Sequence, residues 1–204
     1  MIGAPAAVYV VDDDAAVRDS LALLLRSVSL PVETFESAPQ FLECHDPGRG
    51  GCLLLDIRMP GMSGMELQQQ LRQRGSELPI IFITGHGDVA MAVQAMRSGA
   101  LDFIEKPFRD QALIDRIHEA LTLDNERRRA QKELTDLRAR FARLTPREHE
   151  VMLRIAQGQA NKLIASELGL SERTIELHRA RVMHKTGARS LAELVSMTAR
   201  LGLT

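Results

Sequence analysis

In the first half of the chain, carboxylates, a hydroxyl and an ammonium stand directly behind apolar runs. Asp12, Asp13 and Asp14 follow Tyr9-Val10-Val11, Asp56 follows Leu53-Leu54-Leu55, Thr84 follows the Ile80 to Ile83 run, and Lys106 comes just after Phe103-Ile104. Crowded together, the carboxylates would repel one another, and a divalent cation would relieve them. Hard oxygen ligands with room for water suit Mg2+, which also accepts a phosphoryl oxygen. The Thr84 hydroxyl and the Lys106 ammonium would complete a shell around a transferred phosphoryl group, with an aspartate as nucleophile. There is no GxxxxGK[ST] loop, so a nucleotide is not the expected donor. Singly, each residue has a plainer reading: a helix-capping Asp, a turn hydroxyl, a surface lysine. Only joint placement makes a site, and Asp14 reads as the start of the next helix.

Joint placement depends on the elements. The spacing predicts a strand through Tyr9-Val10-Val11, then a helix carrying Val17, Leu21, Leu24, Leu25 and Val28. It continues with a strand over 32–35, a helix over 38–44, a strand from Cys52 to Asp56, a helix with Met65, Leu67 and Leu71, a strand over 79–84, a helix over about 88–98 and a strand over 100–104. Near-continuous apolar strands alternating with helices specify an α/β, doubly wound, five-stranded parallel (βα)5 sheet covered on both faces. Right-handed crossovers put every strand's carboxyl end on one edge, so the polar residues that terminate strands one, three, four and five become neighbours.

The chain has 204 residues, 45% hydrophobic and 26% charged, which excludes a disordered polyelectrolyte. Its apolar runs are too short to span a bilayer and no signal segment opens it, so the expectation is a cytoplasmic protein with no membrane partner. Cys44 and Cys52 are the only cysteines, which makes a thiolate zinc site unexpected. Without Trp and with Tyr9 alone, little aromatic surface exists for stacking single-stranded bases. The formal charge of -1 hides a polarity: 17 acidic against 10 basic residues up to residue 122, then 10 against 16. An acidic half suits a cation and a basic half suits a polyanion.

From Gln111 the chain has neither Gly nor Pro until Pro146. Leu113, Ile114, Ile117 and Leu121 give the core stripe of a fifth helix. Leu123, Arg127, Ala130, Leu134, Leu137, Phe141 and Leu144 then keep heptad spacing, a helical linker able to pair with its twin. Arg127, Arg128 and Arg129 read as a solvated face. In the basic half, Thr145-Pro146-Arg147-Glu148 is a capped helix start ending near Gly158. A helix with Leu163, Ile164, Ala165 and Leu168, a Gly169-Leu170-Ser171 turn and a helix over 172–185 form a helix-turn-helix signal, and Ser190 caps a fourth helix. The expected domains are 1–122, a linker over 123–143, and a small all-α four-helix module over 144–204.

These motifs carry two resemblances. Val10-Val11-Asp12-Asp13-Asp14, the segment Leu55 to Gly64 (Leu-Asp-Ile-Arg-Met-Pro-Gly-Met-Ser-Gly), Ile83-Thr84-Gly85-His86-Gly87-Asp88 and Phe103 to Phe108 (Phe-Ile-Glu-Lys-Pro-Phe) are similar to the receiver domain of two-component response regulators. The resemblance implies that Asp56 accepts a phosphoryl group from a sensor histidine kinase, and that Asp13, Asp56 and the Arg58 carbonyl bind Mg2+ with help from Asp12. It further implies a switch pair of Thr84 and Phe103, a cis Lys106-Pro107 bond, and pairing of receivers through helix four and strand five. A phosphoryl acceptor near Thr84 would draw its hydroxyl inward and vacate space for the Phe103 ring. His86 is read as a loop residue rather than a base.

Leu144 to Glu148, Asn161-Lys162 and Ser171 to Lys185 resemble the LuxR-type DNA-binding module. Together the two resemblances point to the FixJ subgroup of NarL/FixJ response regulators. They imply double-stranded DNA and RNA polymerase as partners, a homodimer on phosphorylation, and transcriptional activation by a regulator that is not an enzyme. Lys162, Arg173, Arg179 and Lys185 are phosphate-contact candidates, and Thr174, Glu176, Leu177 and Ala180 lie nearest the base edges. Glu176 is unsuited to phosphate but could accept from a cytosine amine. Two rivals stand beside this reading. One is a Mg-dependent aspartyl-phosphate hydrolase using Asp12 and Asp14. The other is a receiver whose helical tail docks protein.

Overall fold

The structure, a computed structural model, describes residues 5–85 and 89–203. His86, read above as a loop residue, lies outside the described residues. The chain divides into two compact units, 1–128 and 129–204.

The first unit alternates β1 (Ala7–Val11), α1 (Ala15–Ser27), β2 (Val32–Phe35), α2 (Ala38–Cys44), β3 (Gly51–Leu55), α3 (Gly64–Gln73), β4 (Ile80–Thr84), α4 (Val89–Arg97), β5 (Asp102–Glu105) and the start of α5 (Asp110–Phe141). All strand pairs are parallel, in the order β2-β1-β3-β4-β5. Successive side chains of a strand point to opposite faces, so the apolar runs feed two cores. Tyr9, Val11, Leu53, Leu55 and Phe82 pack on one side with Phe41 and Leu67. Val8, Val10, Leu54, Ile81 and Ile83 pack on the other with Leu25, Leu113 and Ile117. Chain order reverses between β1 and β3, the switch point at which doubly wound sheets place their sites.

Strand five starts later than its apolar pattern suggests. Ala100 donates back to the Ala95 carbonyl at 3.0 Å, which closes α4 instead of extending β5; the Leu101 N–H then donates to the Ile80 carbonyl at 2.8 Å, and the register with β4 runs from Asp102. The connector differs more. α5 is one helix of 32 residues with no break near 122. Its residue Asp124, 4% exposed, accepts from the Gly51 N–H at 2.9 Å. Arg128 pairs with Asp124 and donates to the carbonyls of Gly48 (2.9 Å) and Arg49 (2.8 Å). Arg128 is therefore not the solvated residue its arginine run suggests: it ties α5 to the loop before β3.

The second unit contains the end of α5 with α6 (Pro146–Ala156), α7 (Asn161–Leu168), α8 (Glu172–Thr186) and α9 (Leu191–Arg200). Leu137 and Phe141, expected to face a twin helix, are buried with Val151, Ile155, Ile164, Ile175, Val182 and Leu194. This corrects the heptad reading, because the last part of the seam serves the core of its own module. Thr145 and Glu148 form the expected reciprocal cap at the start of α6. Glu148 is only 2% exposed, and Lys185 of α8 donates to its Oε2 at 2.6 Å. That bond, followed by the Thr145 N–H, holds the Glu148 carboxyl down at about 2.

Two ion pairs in this unit should behave differently on truncation. Lys185→Met leaves a buried carboxylate unpaired and should cost about 3–5 kcal/mol. Arg200→Ala removes a half-exposed partner of Glu133 and should cost less than about 1 kcal/mol. Thermal unfolding followed by residue-resolved hydrogen exchange should confine the larger loss to 129–204. Because the Glu148 carboxyl lies below its ordinary value of 4.5, its stabilisation is complete above about 4.5 and is lost as pH falls through about 2. An acid titration of the melting temperature should show that loss in the wild type and not in Glu148→Gln.

Candidate functional site

Four strand ends meet at the carboxyl edge of the sheet. Asp12 follows β1 and is 4% exposed; Asp56 follows β3 and is 7% exposed. The Asp56 N–H donates to the Val11 carbonyl at 2.9 Å, so the sheet ladder itself fixes the two carboxylates side by side. Lys106, just past β5, bridges them. Its Nζ donates to Asp12 Oδ2 at 2.8 Å and stands 4.0 Å from Asp56 Oδ1. The lysine is positioned by its own backbone, whose N–H donates to the carbonyl of Thr84 at 2.8 Å, and the Lys106-Pro107 bond is cis. Thr84, 1% exposed, ends β4. Phe103 is half-buried against the core and lies in register with Phe82.

The remaining Asp56 oxygen accepts from the Arg58 N–H at 3.0 Å. Even so, the Asp56 carboxyl is pushed up to about 6, first by burial and then by the Asp12 charge, with Lys106 and the Arg58 N–H opposing. The cluster therefore carries more negative charge than its single ammonium relieves. Asp13 is exposed. Asp14 caps α1, its Oδ1 accepting from the Ala16 N–H at 2.8 Å, which is the helix-starting role expected of it. Among the described residues, no group of three or more His, Cys, Asp or Glu side chains is gathered as metal ligands. Asp12 has one oxygen on Lys106 and the other on the Asp14 N–H.

Two supports were missed from the sequence. Arg18 of α1 donates to the Asp12 carbonyl at 2.8 Å, a contact that no motif spacing announces. Gly64 opens α3 directly against Asp56: its N–H donates to the Ile57 carbonyl at 3.0 Å, and an added Cβ would collide with the Asp56 carbonyl oxygen. Gly64 does stand in the quoted Leu55 to Gly64 motif, and close backbone approach is its function there.

In the second unit, the Gly169 to Ser171 turn joins α7 to α8, and Ser171 caps α8 through the Thr174 N–H. Ile175, Val182 and Thr186 face the core. Arg173, Glu176, Leu177 and Ala180 are exposed at helical spacing on the opposite side, and Lys162 is exposed on α7. Leu177 keeps 51% of its surface in solvent. Three candidates are less available. Thr174 shares a hydrogen bond with the Ser171 hydroxyl, Arg179 donates to Asn161 Oδ1 at 3.3 Å, and Lys185 holds Glu148.

Comparison with known proteins agrees with this division of labour. The model of the response regulator receiver domain matches residues 8–118, and that of the bacterial regulatory proteins of the luxR family matches 142–198. Nodulation protein W of Bradyrhizobium diazoefficiens is 48% identical over 98% of this chain and 88% of its own. Transcriptional regulatory protein FixJ of the same organism is 45% identical over 96% of each chain. The solved structure of the response regulator StyR superposes with a TM-score of 0.92 at 49% identity, covering 97% of this chain and all of that one. Full-length FixJ from B. japonicum gives a TM-score of 0.58 at 46% identity, covering 98% of both. With a receiver fold, an acidic edge and a helix-turn-helix module in one polypeptide, the chain belongs to the DNA-binding response regulators of two-component systems, in the FixJ-type branch that joins a receiver to a LuxR-type domain.

Proposed function

We propose that Asp56 is the phosphoacceptor of this response regulator and that its phosphorylation by a sensor histidine kinase favours a homodimer that binds double-stranded DNA and activates transcription with RNA polymerase in the cytoplasm. The observation that carries this reading is the buried Asp56 carboxylate beside Asp12, with Lys106 bridging both. A carboxylate oxygen of Asp56 attacks phosphorus as the bond from phosphorus to the kinase's imidazole nitrogen breaks. Lys106 offsets the charge that builds on the phosphoryl oxygens, and the Thr84 hydroxyl then donates to one of them. The oxygen donors fit Mg2+, and the cost of charging Asp56, set by burial first and then by Asp12, is what such an ion would relieve; Asp12, Asp13, Asp56 and the Arg58 carbonyl would hold it. Bound there, the ion would supply charge neutralisation on the phosphoryl oxygens. In the helix-turn-helix, Lys162, Arg173 and Arg179 would meet phosphates while Thr174, Glu176, Leu177 and Ala180 approach base edges, Leu177 being suited to a thymine methyl. Lys185 would reach phosphate only by leaving Glu148. Against the hydrolase, Asp14 already holds the first turn of α1. Against a protein-docking tail, 142–198 match a DNA-binding family.

Three outcomes test this reading. Incubated with acetyl phosphate and Mg2+, the wild type should retain one phosphoryl group and Asp56→Asn should retain none; a label that persists in the variant would move the acceptor elsewhere, and many turnovers would favour the hydrolase. Without metal, Asp56→Asn should also melt higher than wild type at pH 7.5. The sign follows from a folded-state value raised from 3.8 to about 6: the favourable contribution of protonation is complete below about 3.8 and is lost as pH rises through about 6. Millimolar Mg2+ should raise the melting temperature of the wild type and not of the variant. On DNA, Arg173→Ala should weaken binding to all sequences and lower the salt slope by about 1, whereas Leu177→Ala should relax preference at one base pair at a cost of about 1–3 kcal/mol, both read by titration at several salt concentrations.

A further inference from the structure

One basic residue of the connector serves neither the acidic edge nor the DNA-binding module. Arg127 interrupts the apolar heptad spacing one turn after Leu123, and both line a cavity of about 610 Å3 at the amino ends of β4 and β5, the sheet edge opposite Asp56. Its apolar wall is made of buried Leu71, Leu78, Ile80 and Ala100 with half-buried Leu123. Its polar side is carried by two guanidiniums from different elements. Arg127 of α5 donates through Nη1 to the Glu77 carbonyl at 3.3 Å, which fixes one end of the group and leaves its other N–H donors without a partner among the described residues. Arg72 of α3 has no hydrogen-bonded or ionic partner among the described residues. It is nonetheless held in place, lying so close over Gly99 that an added Cβ would collide with its guanidinium, and Gly99 takes a left-handed φ of 78°. Gln68, one turn earlier on α3, ties that helix to the same turn by donating to the carbonyls of Ala95 (3.3 Å) and Ser98 (3.2 Å). Glu77 is the one carboxylate among the described lining residues, so two cations and one anion leave the cavity with a single net positive charge.

We propose that this cavity is a binding site for a small organic monocarboxylate with an apolar body, its carboxylate held by Arg72 and Arg127 and its chain by the apolar wall. The volume lies within the range of about 300–1,000 Å3 usual for small-molecule sites. Planar guanidinium forks match a carboxylate, and two that are already placed lose little freedom on binding it. One net positive charge balances a monoanion and leaves a phosphate dianion in excess, and an inorganic anion would leave the apolar wall uncovered. The bound ligand would bridge α5 to the loop between α3 and β4, from an edge where it does not compete with Mg2+ or a phosphodonor. The proposal is independent of the reading of Asp56.

Amide NMR spectra of the full chain titrated with hexanoate test it. Saturable shifts should appear at Gly75, Ser76, Gly99 and Ala100 with a Kd of about 1 mM, while labelling by acetyl phosphate stays within about twofold. Acetate and hexanol each lack one of the two recognised parts and should bind at least about tenfold more weakly. Arg72→Gln and Arg127→Gln change exposed residues and should each weaken hexanoate about tenfold. The site is overturned if no saturable shift appears at these amides up to about 50 mM hexanoate, or if hexanoate abolishes labelling, which would place it at the acidic edge. Hexanol binding as tightly as hexanoate overturns the role of the carboxylate, acetate doing so overturns that of the wall, and unchanged binding in both variants overturns that of the arginines. The three-ligand comparison needs the wild type alone, so it decides the matter even where a variant fails to fold.

Discussion

The constraint on which the first unit turns is the repulsion between two buried carboxylates that parallel pairing forces together. β1 and β3 are neighbours in register, so the residues that follow them cannot avoid each other. One ammonium from β5's end holds Asp12 firmly and Asp56 loosely, at 2.8 and 4.0 Å. The asymmetry matters: Asp12 is anchored, while Asp56 keeps an oxygen that is only loosely opposed and a proton affinity well above an ordinary aspartate. A nucleophile that is costly to leave charged is one whose neutralisation by a proton or a cation stabilises the fold around it.

Most of this site was legible because it depends on period and order alone. Alternating strand and helix signals determine a parallel sheet, a parallel sheet determines its carboxyl edge, and the edge gathers Asp12, Asp56, Thr84 and Lys106. β2 and α2 match their sequence boundaries because they are short and clearly punctuated, α2 by its Ser37 cap. The supporting contacts were not legible. Arg18 reaches a backbone carbonyl across a turn, and Gln68 reaches two carbonyls at and just past the end of another helix. Neither depends on residue spacing, since a backbone carbonyl is present at every position.

The second unit shows the same divide. Its caps were visible as Thr145 with Glu148 and as Ser171 and Ser190, since each acts within one turn. Heptad spacing in α5 was visible too, but spacing identifies an apolar stripe without naming its partner. Leu137 and Phe141 met four nearby helices of their own module, and a stripe already covered has nothing left for a twin. Lys185 was drawn toward phosphate by its sign and its helix; the acidic side chain that claims it lies 37 residues earlier in the chain.

The Asp124 and Arg128 contacts on the 47–51 loop bear on how the molecule can be divided. A fragment ending after Thr122 keeps every strand of the sheet yet strips the Gly51 amide of its buried acceptor and leaves the Gly48 and Arg49 carbonyls without their donor. The wound opens at the entrance to β3, the strand that delivers Asp56 to the edge. An excised receiver therefore needs the first turns of what looks like connector, and the smallest autonomous piece is set by a loop hydrogen-bonded to α5 instead of by the last strand or by the end of a motif.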